Sequence, residues 1–204
     1  FVRLMGRSAS HIALECALQT RPNICIIGEE TELKKQTLSE ITENVCSVIE
    51  KRAAAGKNYG IILIPEGLIE FIPEFNSLIS EINDLLANGT QPNEVDVMKG
   101  LSAASKASFS FLPASIKMQL MLDRDPHGNV QVAKIETEKL LALTVESALE
   151  SRRTKGVYKG MFNPQFHSYG YEGRSGLPSH FDSTYCYVLG QNVAALISMG
   201  ERGL

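Results

Sequence analysis

The stretch Tyr59-Gly-Ile-Ile-Leu-Ile-Pro-Glu-Gly-Leu-Ile-Glu-Phe71 decides how the rest of the chain is read. Its four consecutive apolar residues, Ile61 to Ile64, show no polar alternation. That pattern predicts a short strand covered on both faces, as in a parallel sheet between helices. Pro65 lacks a ladder donor and Gly67 tolerates backbone angles closed to other residues, so the strand is expected to end there. Glu66 is thereby delivered to the carboxyl edge of a sheet. Ligands of open α/β sheets bind at that edge, and a carboxylate there can accept hydrogen bonds from sugar hydroxyls; the plainer reading is a solvated glutamate in a turn.

Before this strand, Phe1-Val-Arg-Leu-Met5 reads as a strand end, Gly6-Arg7-Ser8 as a turn and Ala9 to Gln19 as a helix. Asn23 to Gly28 is a second apolar strand, and Glu29, Glu30 and Glu32 follow it in what reads as a solvated turn. Leu38, Ile41, Val45 and Val48 recur at helical spacing and predict an amphipathic helix from Thr37 to Ala54, ended by Gly56 and Asn58. Strands alternating with helices imply an α/β fold with a parallel sheet. Arg7 sits at a strand-to-helix junction, beside free backbone N–H groups and the positive end of a helix dipole. It suits an anion site there, or equally a turn cap paired with a surface carboxylate.

Beyond Pro73 the pattern changes. Phe75, Leu78, Ile79, Ile82, Leu85 and Leu86 form one helix face, stopped by Asn88-Gly89-Thr90, and Gln91 to Gly100 reads as a polar loop. Further helices are expected around Leu101 to Phe109, Pro113 to Leu122 and Lys134 to Arg152. Asp123-Arg-Asp125-Pro-His127-Gly128 begins like a calcium loop, but Lys134 stands where the EF-hand needs a bidentate glutamate, so a turn is expected instead. Phe162 to Tyr169 leads back to the sheet, followed by Gly170-Tyr-Glu-Gly-Arg174-Ser-Gly176 and a capping box from Ser179 to Asp182. The expected organisation is an α/β part over residues 1–72, a mostly helical insertion over 73–160, and a return to the α/β domain over 161–204 with a buried final helix.

A chain of 204 residues with 44% hydrophobic and 21% charged content can bury a sizeable core. Its net charge of −3 offers no general footprint for nucleic acid. Cys16, Cys25, Cys46 and Cys186 lack metal spacing and read as reduced thiols of a cytoplasmic protein. Ser183 to Gly200 is uncharged, but Gln191 and Asn192 at its centre favour a core helix over a membrane span. There is no secretory leader in view, and Phe1 lies inside a strand, so the sequence is expected to start mid-fold. The P-loop, dinucleotide and hydrolase-elbow signatures are all missing from the sequence.

Met5-Gly6-Arg7, Pro65-Glu66-Gly67-Leu68 and Gly170-Tyr-Glu-Gly-Arg174, in this order and spacing, resemble the phosphofructokinase family, in particular its long pyrophosphate-dependent group. The flanking Ala9-Ser-His-Ile-Ala-Leu-Glu-Cys, Ile135-Glu-Thr-Glu-Lys-Leu-Leu and Ser179-His-Phe-Asp extend the resemblance over nearly the whole chain. It implies a three-layer parallel-sheet domain carrying a fructose 6-phosphate site. Met5, Gly6 and Arg7 would line the sugar phosphate, with Arg7 nearest the transferring phosphoryl group and so the catalytic member. Glu66 would accept from sugar hydroxyls, Tyr171 and Arg174 would hold the 6-phosphate, and Glu172 and Gly173 would shape that loop.

The family's catalytic aspartates and phosphate-donor loop lie upstream of the Met-Gly-Arg motif. The resemblance therefore implies that these residues alone are inactive, that pyrophosphate brings Mg2+ held mainly elsewhere, and that the protein forms a homodimer or larger assembly. A non-catalytic regulatory subunit binding sugar phosphate and an ATP-dependent enzyme remain the alternatives.

Overall fold

The computed structural model describes residues 1–6, 9–173 and 175–200. They fall into two units, Phe1–Gly173 and the segment from Arg174 onward. The first is built on β1 (Val2–Leu4), α1 (His11–Thr20), β2 (Ile24–Cys25), α2 (Gly28–Leu33), α3 (Leu38–Ala54) and β3 (Ile62–Pro65). It continues through α4 (Leu68–Phe71), α5 (Pro73–Ala87), α6 (Glu94–Gly100), α7 (Ala103–Phe111), α8 (Ala114–Leu122), α9 (Thr137–Thr154) and β4 (His167–Tyr169). The second unit holds α10 (His180–Ser198).

The strands form one sheet in the order β2-β3-β1-β4, every neighbouring pair parallel. Leu4 stands opposite Pro65 on one side and Tyr169 on the other, so β3, β1 and β4 end level with one another. All of β3 is buried, and its side chains divide between the two faces as a pleat requires. Leu63 packs with Leu4 and Ala13 of α1, while Ile62 and Ile64 join the larger core built with α3, α5 and α9. Helices thus cover both faces, giving the three-layer α/β architecture expected.

The larger core runs without a break from Ile26 and Val45 through Phe75, Phe109 and Leu120 to Leu140 and Val145. The helical block shares its apolar interior with the sheet. Arg3 reinforces that junction: its Nε lies 2.9 Å from Glu138 Oε2 on α9. Its other nitrogens donate to the carbonyls of Ala133 and Ile135, at 2.8 and 3.0 Å, and to Ser168 Oγ at 3.0 Å. Burial pushes the Glu138 carboxyl above the ordinary range, and the Arg3 guanidinium opposes that shift.

Three segments differ from the sequence reading. Residues Glu94–Gly100 form α6 because Asn93 caps it, accepting from the Asp96 N–H at 2.9 Å, and because Val97 is buried. The glutamates after β2 are not in an open turn but begin α2, whose Gly28 has the Phe71 ring against it. The third is α10, which has the expected Ser179–Asp182 capping box but no buried residue, since its own unit contains no second element to cover it. Among the described residues, no helix is long and apolar enough to cross a membrane.

Candidate functional site at the carboxyl edge of the sheet

Because β3, β1 and β4 are adjacent and end level, the segments that follow them meet at one edge, although they are far apart in sequence. Met5 N–H donates to the Tyr169 carbonyl at 2.9 Å and Glu66 N–H to the Leu4 carbonyl at 3.1 Å, extending both ladders one step past the strands. Glu66 is only 6% exposed, and its Oε2 accepts the Gly6 N–H at 3.2 Å. Pro65 and the turn at Gly67 thus place a carboxylate where it binds the first turn after β1 instead of projecting into solvent. Gly6 itself leaves no space, since a Cβ there would lie 2.8 Å from the Ala9 carbonyl oxygen.

On the other side of β1, Tyr171, Glu172 and Gly173 form one turn of 3-10 helix. Tyr171 is 73% exposed. Glu172 is also exposed, and its side chain folds back on its own loop: its Oε1 accepts the Gly170 N–H at 3.0 Å. Its own backbone N–H, then that of Gly170, hold its carboxyl below the ordinary range. Glu172 thus braces the turn that begins at Gly170. A Cβ at Gly173 would lie 3.0 Å from that of Tyr169, which keeps the turn tight against the strand end.

Of the eight expected site residues, Met5, Gly6, Glu66, Tyr171, Glu172 and Gly173 converge here. Arg7 and Arg174 lie outside the described residues. Two groups missed in the sequence join the edge. Glu70, one turn beyond Glu66, has its carboxyl pushed up by burial and then by the Glu66 charge. Glu29 reaches back from α2 to Ser10, at the end of the β1–α1 loop; an acidic pair directly after a strand end was the available signal for a helix start.

The arrangement offers hydrogen-bond acceptors, an exposed tyrosine and a tightly held loop, which suits recognition of a hydroxylated ligand. Among the described residues no group of three or more His, Cys, Asp or Glu gathers as a metal site. A cavity of about 280 Å³ lies at the opposite, amino end of the sheet, lined by Asn23, Arg52, Tyr59, Tyr158 and Phe162 among others. None of the converging segments reaches it.

Comparison with known proteins gives this edge its context. The chain is 58% identical, over all 204 of its residues, to the pyrophosphate–fructose 6-phosphate 1-phosphotransferase subunit beta 2 of Arabidopsis thaliana, of which it covers 36%. Over its whole length the chain is similar to pyrophosphate–fructose 6-phosphate 1-phosphotransferases. It is also 49% identical to the Treponema pallidum pyrophosphate–fructose 6-phosphate 1-phosphotransferase, matching 96% of this chain and 36% of that protein. To subunit alpha 2 of the Arabidopsis enzyme it is 47% identical over its whole length, covering 33% of that protein. The chain spans about a third of the length of these curated relatives. No protein-family model matches it. The α/β architecture with an all-parallel sheet agrees with a phosphofructokinase domain.

Proposed function

We propose that these residues form the fructose 6-phosphate side of an enzyme that transfers a phosphoryl group from pyrophosphate to the sugar C1 hydroxyl, reversibly, giving fructose 1,6-bisphosphate in glycolysis. The observation that carries this reading is the Glu66–Gly6 contact: it joins two motifs 60 residues apart at a parallel-sheet edge, in a chain 58% identical to a protein of that activity. Glu66 Oε2 is engaged by the loop, leaving Oε1 to accept from a sugar hydroxyl. Tyr171 and Arg174 hold the 6-phosphate, Met5 and Gly6 line the sugar phosphate, and Arg7 stands nearest the group in flight. An arginine there stabilises spreading negative charge, and a fixed acceptor supplies alignment, which together provide most of the catalysis in phosphoryl transfer.

Mg2+ would arrive with the donor phosphates, whose oxygens are the hard ligands it prefers, and no step here is routed through it. The protein acts in the cytoplasm as an oligomer of two or more subunits. The test is bisphosphate formation by the full-length gene product with pyrophosphate and with ATP as separate donors, beside Arg174→Ala. Activity with pyrophosphate alone, with the KM for fructose 6-phosphate raised at least tenfold in the variant, is the expected result. Activity with ATP refutes the donor assignment, and inactivity with either supports a non-catalytic subunit.

A further inference from the structure

The β1–α1 loop carries Met5, Gly6 and Arg7, and it is held at two points by carboxylates from other strands' loops. One holder is Glu66, on the Gly6 N–H. The other is Glu29, whose Oε1 accepts the Ser10 N–H at 3.0 Å. Ser10 is 2% exposed and is the N-cap residue of α1, yet its side chain makes no cap bond to its own helix. Its Oγ accepts instead the Gly28 N–H at 2.9 Å, the first N–H of α2. The two helix starts thus exchange caps: Ser10 serves α2, and Glu29 of α2 serves the residue that opens α1.

The packing fixes this exchange in place. A Cβ at Gly28 would lie 2.1 Å from the Phe71 ring, so α2 is seated directly on α4, the helix that follows Glu66. Although slight burial opposes it, the Ser10 N–H and hydroxyl, Glu29's own N–H and the His11 charge hold the Glu29 carboxyl below the ordinary range. Glu29 therefore stays ionised and a strong acceptor at neutral pH.

We propose that Glu29 is a positioning residue for phosphoryl transfer, acting through Ser10 to fix the far end of the loop that presents Gly6 and Arg7. The proposal rests on the function proposed above for that loop. Glu29 touches no substrate in this role. Releasing Ser10 frees one end of a loop whose middle residue must align with the transferring group, and misplacement by an ångström lowers turnover more than it weakens sugar binding, which Glu66 and the Tyr171 turn still supply.

The experiment compares Glu29→Ala and Glu29→Gln in the full-length gene product, reading pyrophosphate-dependent kinetics together with amide hydrogen exchange over residues 5–12. Glu29→Ala is expected to lower kcat about tenfold and leave the KM for fructose 6-phosphate within about twofold. Exchange over residues 5–12 should be at least tenfold faster while α5 stays protected. Glu29→Gln keeps a carbonyl acceptor and should recover most of both. Wild-type kcat in Glu29→Ala overturns the proposal, as do lost turnover with unchanged protection of residues 5–12, loss of protection in α5 as well, or no recovery in Glu29→Gln. A wild-type protein that transfers no phosphoryl group refutes the function itself; exchange then judges the clamp alone, and unchanged protection over residues 5–12 in Glu29→Ala overturns it.

Discussion

Glu66 ties β3 to the loop after β1: its Oε2 accepts the Gly6 N–H at 3.2 Å with both groups buried. The side chain proposed for sugar recognition thus also holds the backbone of the turn after β1. Loop and acceptor therefore keep a constant separation, which is what preorganisation of a site requires.

Replacing Glu66 tests both roles. Glu66→Ala leaves the buried Gly6 N–H without its acceptor and should cost about 1–3 kcal/mol, read as a lower urea midpoint. Glu66→Gln can still offer a carbonyl to Gly6, so its midpoint should stay near wild type while sugar-phosphate affinity falls. Equal midpoints for all three proteins would show that the bond contributes nothing.

Gly6→Ala should disturb the loop without touching the core. The new methyl group would lie 2.8 Å from the Ala9 carbonyl oxygen, a backbone atom that cannot rotate away. A loss of about 1–3 kcal/mol is expected, typical of overpacking, with fructose 6-phosphate binding weakened at least in step. Wild-type stability and affinity in calorimetry would refute the close approach.

Arg3→Met strands a buried carboxylate. Glu138 has a side chain only 5% exposed, and Arg3 is its cationic partner at 2.9 Å. Removing one member of such a pair costs about 3–5 kcal/mol, which denaturant unfolding would register. The paired change Arg3→Met with Glu138→Leu should recover much of that loss; no recovery would mean that the carbonyl bonds of Arg3 matter more than its charge.

Tyr158→Phe should go the other way. The Tyr158 ring is buried, its hydroxyl has no hydrogen-bond partner among the described residues, and burial raises its pKa. Deleting an unsatisfied hydroxyl is expected to leave stability unchanged or to raise it by up to about 1 kcal/mol in thermal unfolding. A clear loss would reveal a partner for that group.

Acid should loosen the start of α7 through Glu81. Its carboxylate accepts from the Ser102 N–H at 2.8 Å and from the hydroxyls of Ser102 and Ser105, both at 2.8 Å. The Ser102 N–H is the main cause of a pKa below the ordinary 4.5; slight burial opposes it, and the two hydroxyls lower it further. A depressed carboxylate stabilises the fold above its unfolded-state pKa and loses that contribution as pH falls through the folded value. Stability should therefore decline as pH drops below about 4.5, with a shallower slope in Glu81→Gln. Parallel slopes would remove Glu81 from the acid response.

Much of the fold was legible because local rules and burial agreed. The apolar run at Ile61–Ile64 gave β3, and the amphipathic stripe of Leu38, Ile41, Val45 and Val48 gave α3 to within one residue of its start, where the structure adds a capping box at Thr37. Residues Glu94–Gly100 were not legible as α6, because a helix with a single buried residue has almost no apolar period to read. The site was legible only as separate motifs. Their meeting depends on β1 lying between β3 and β4, a pairing that no local pattern encodes. Glu29 was missed for a related reason: its partner, Ser10, precedes it by a helix and a strand.

The strand order has a consequence for synthesis. Leu4 pairs with Pro65 and Tyr169, so the two edges of β1 wait for partners that leave the ribosome late and at different times. Until β4 arrives, one flank of the central strand is an open edge, the kind that recruits foreign strands. The rim that joins Met5, Glu66 and Tyr169 cannot exist in a half-made chain. It appears only when Tyr169 docks, and premature release would yield a sticky product with an unpaired strand edge.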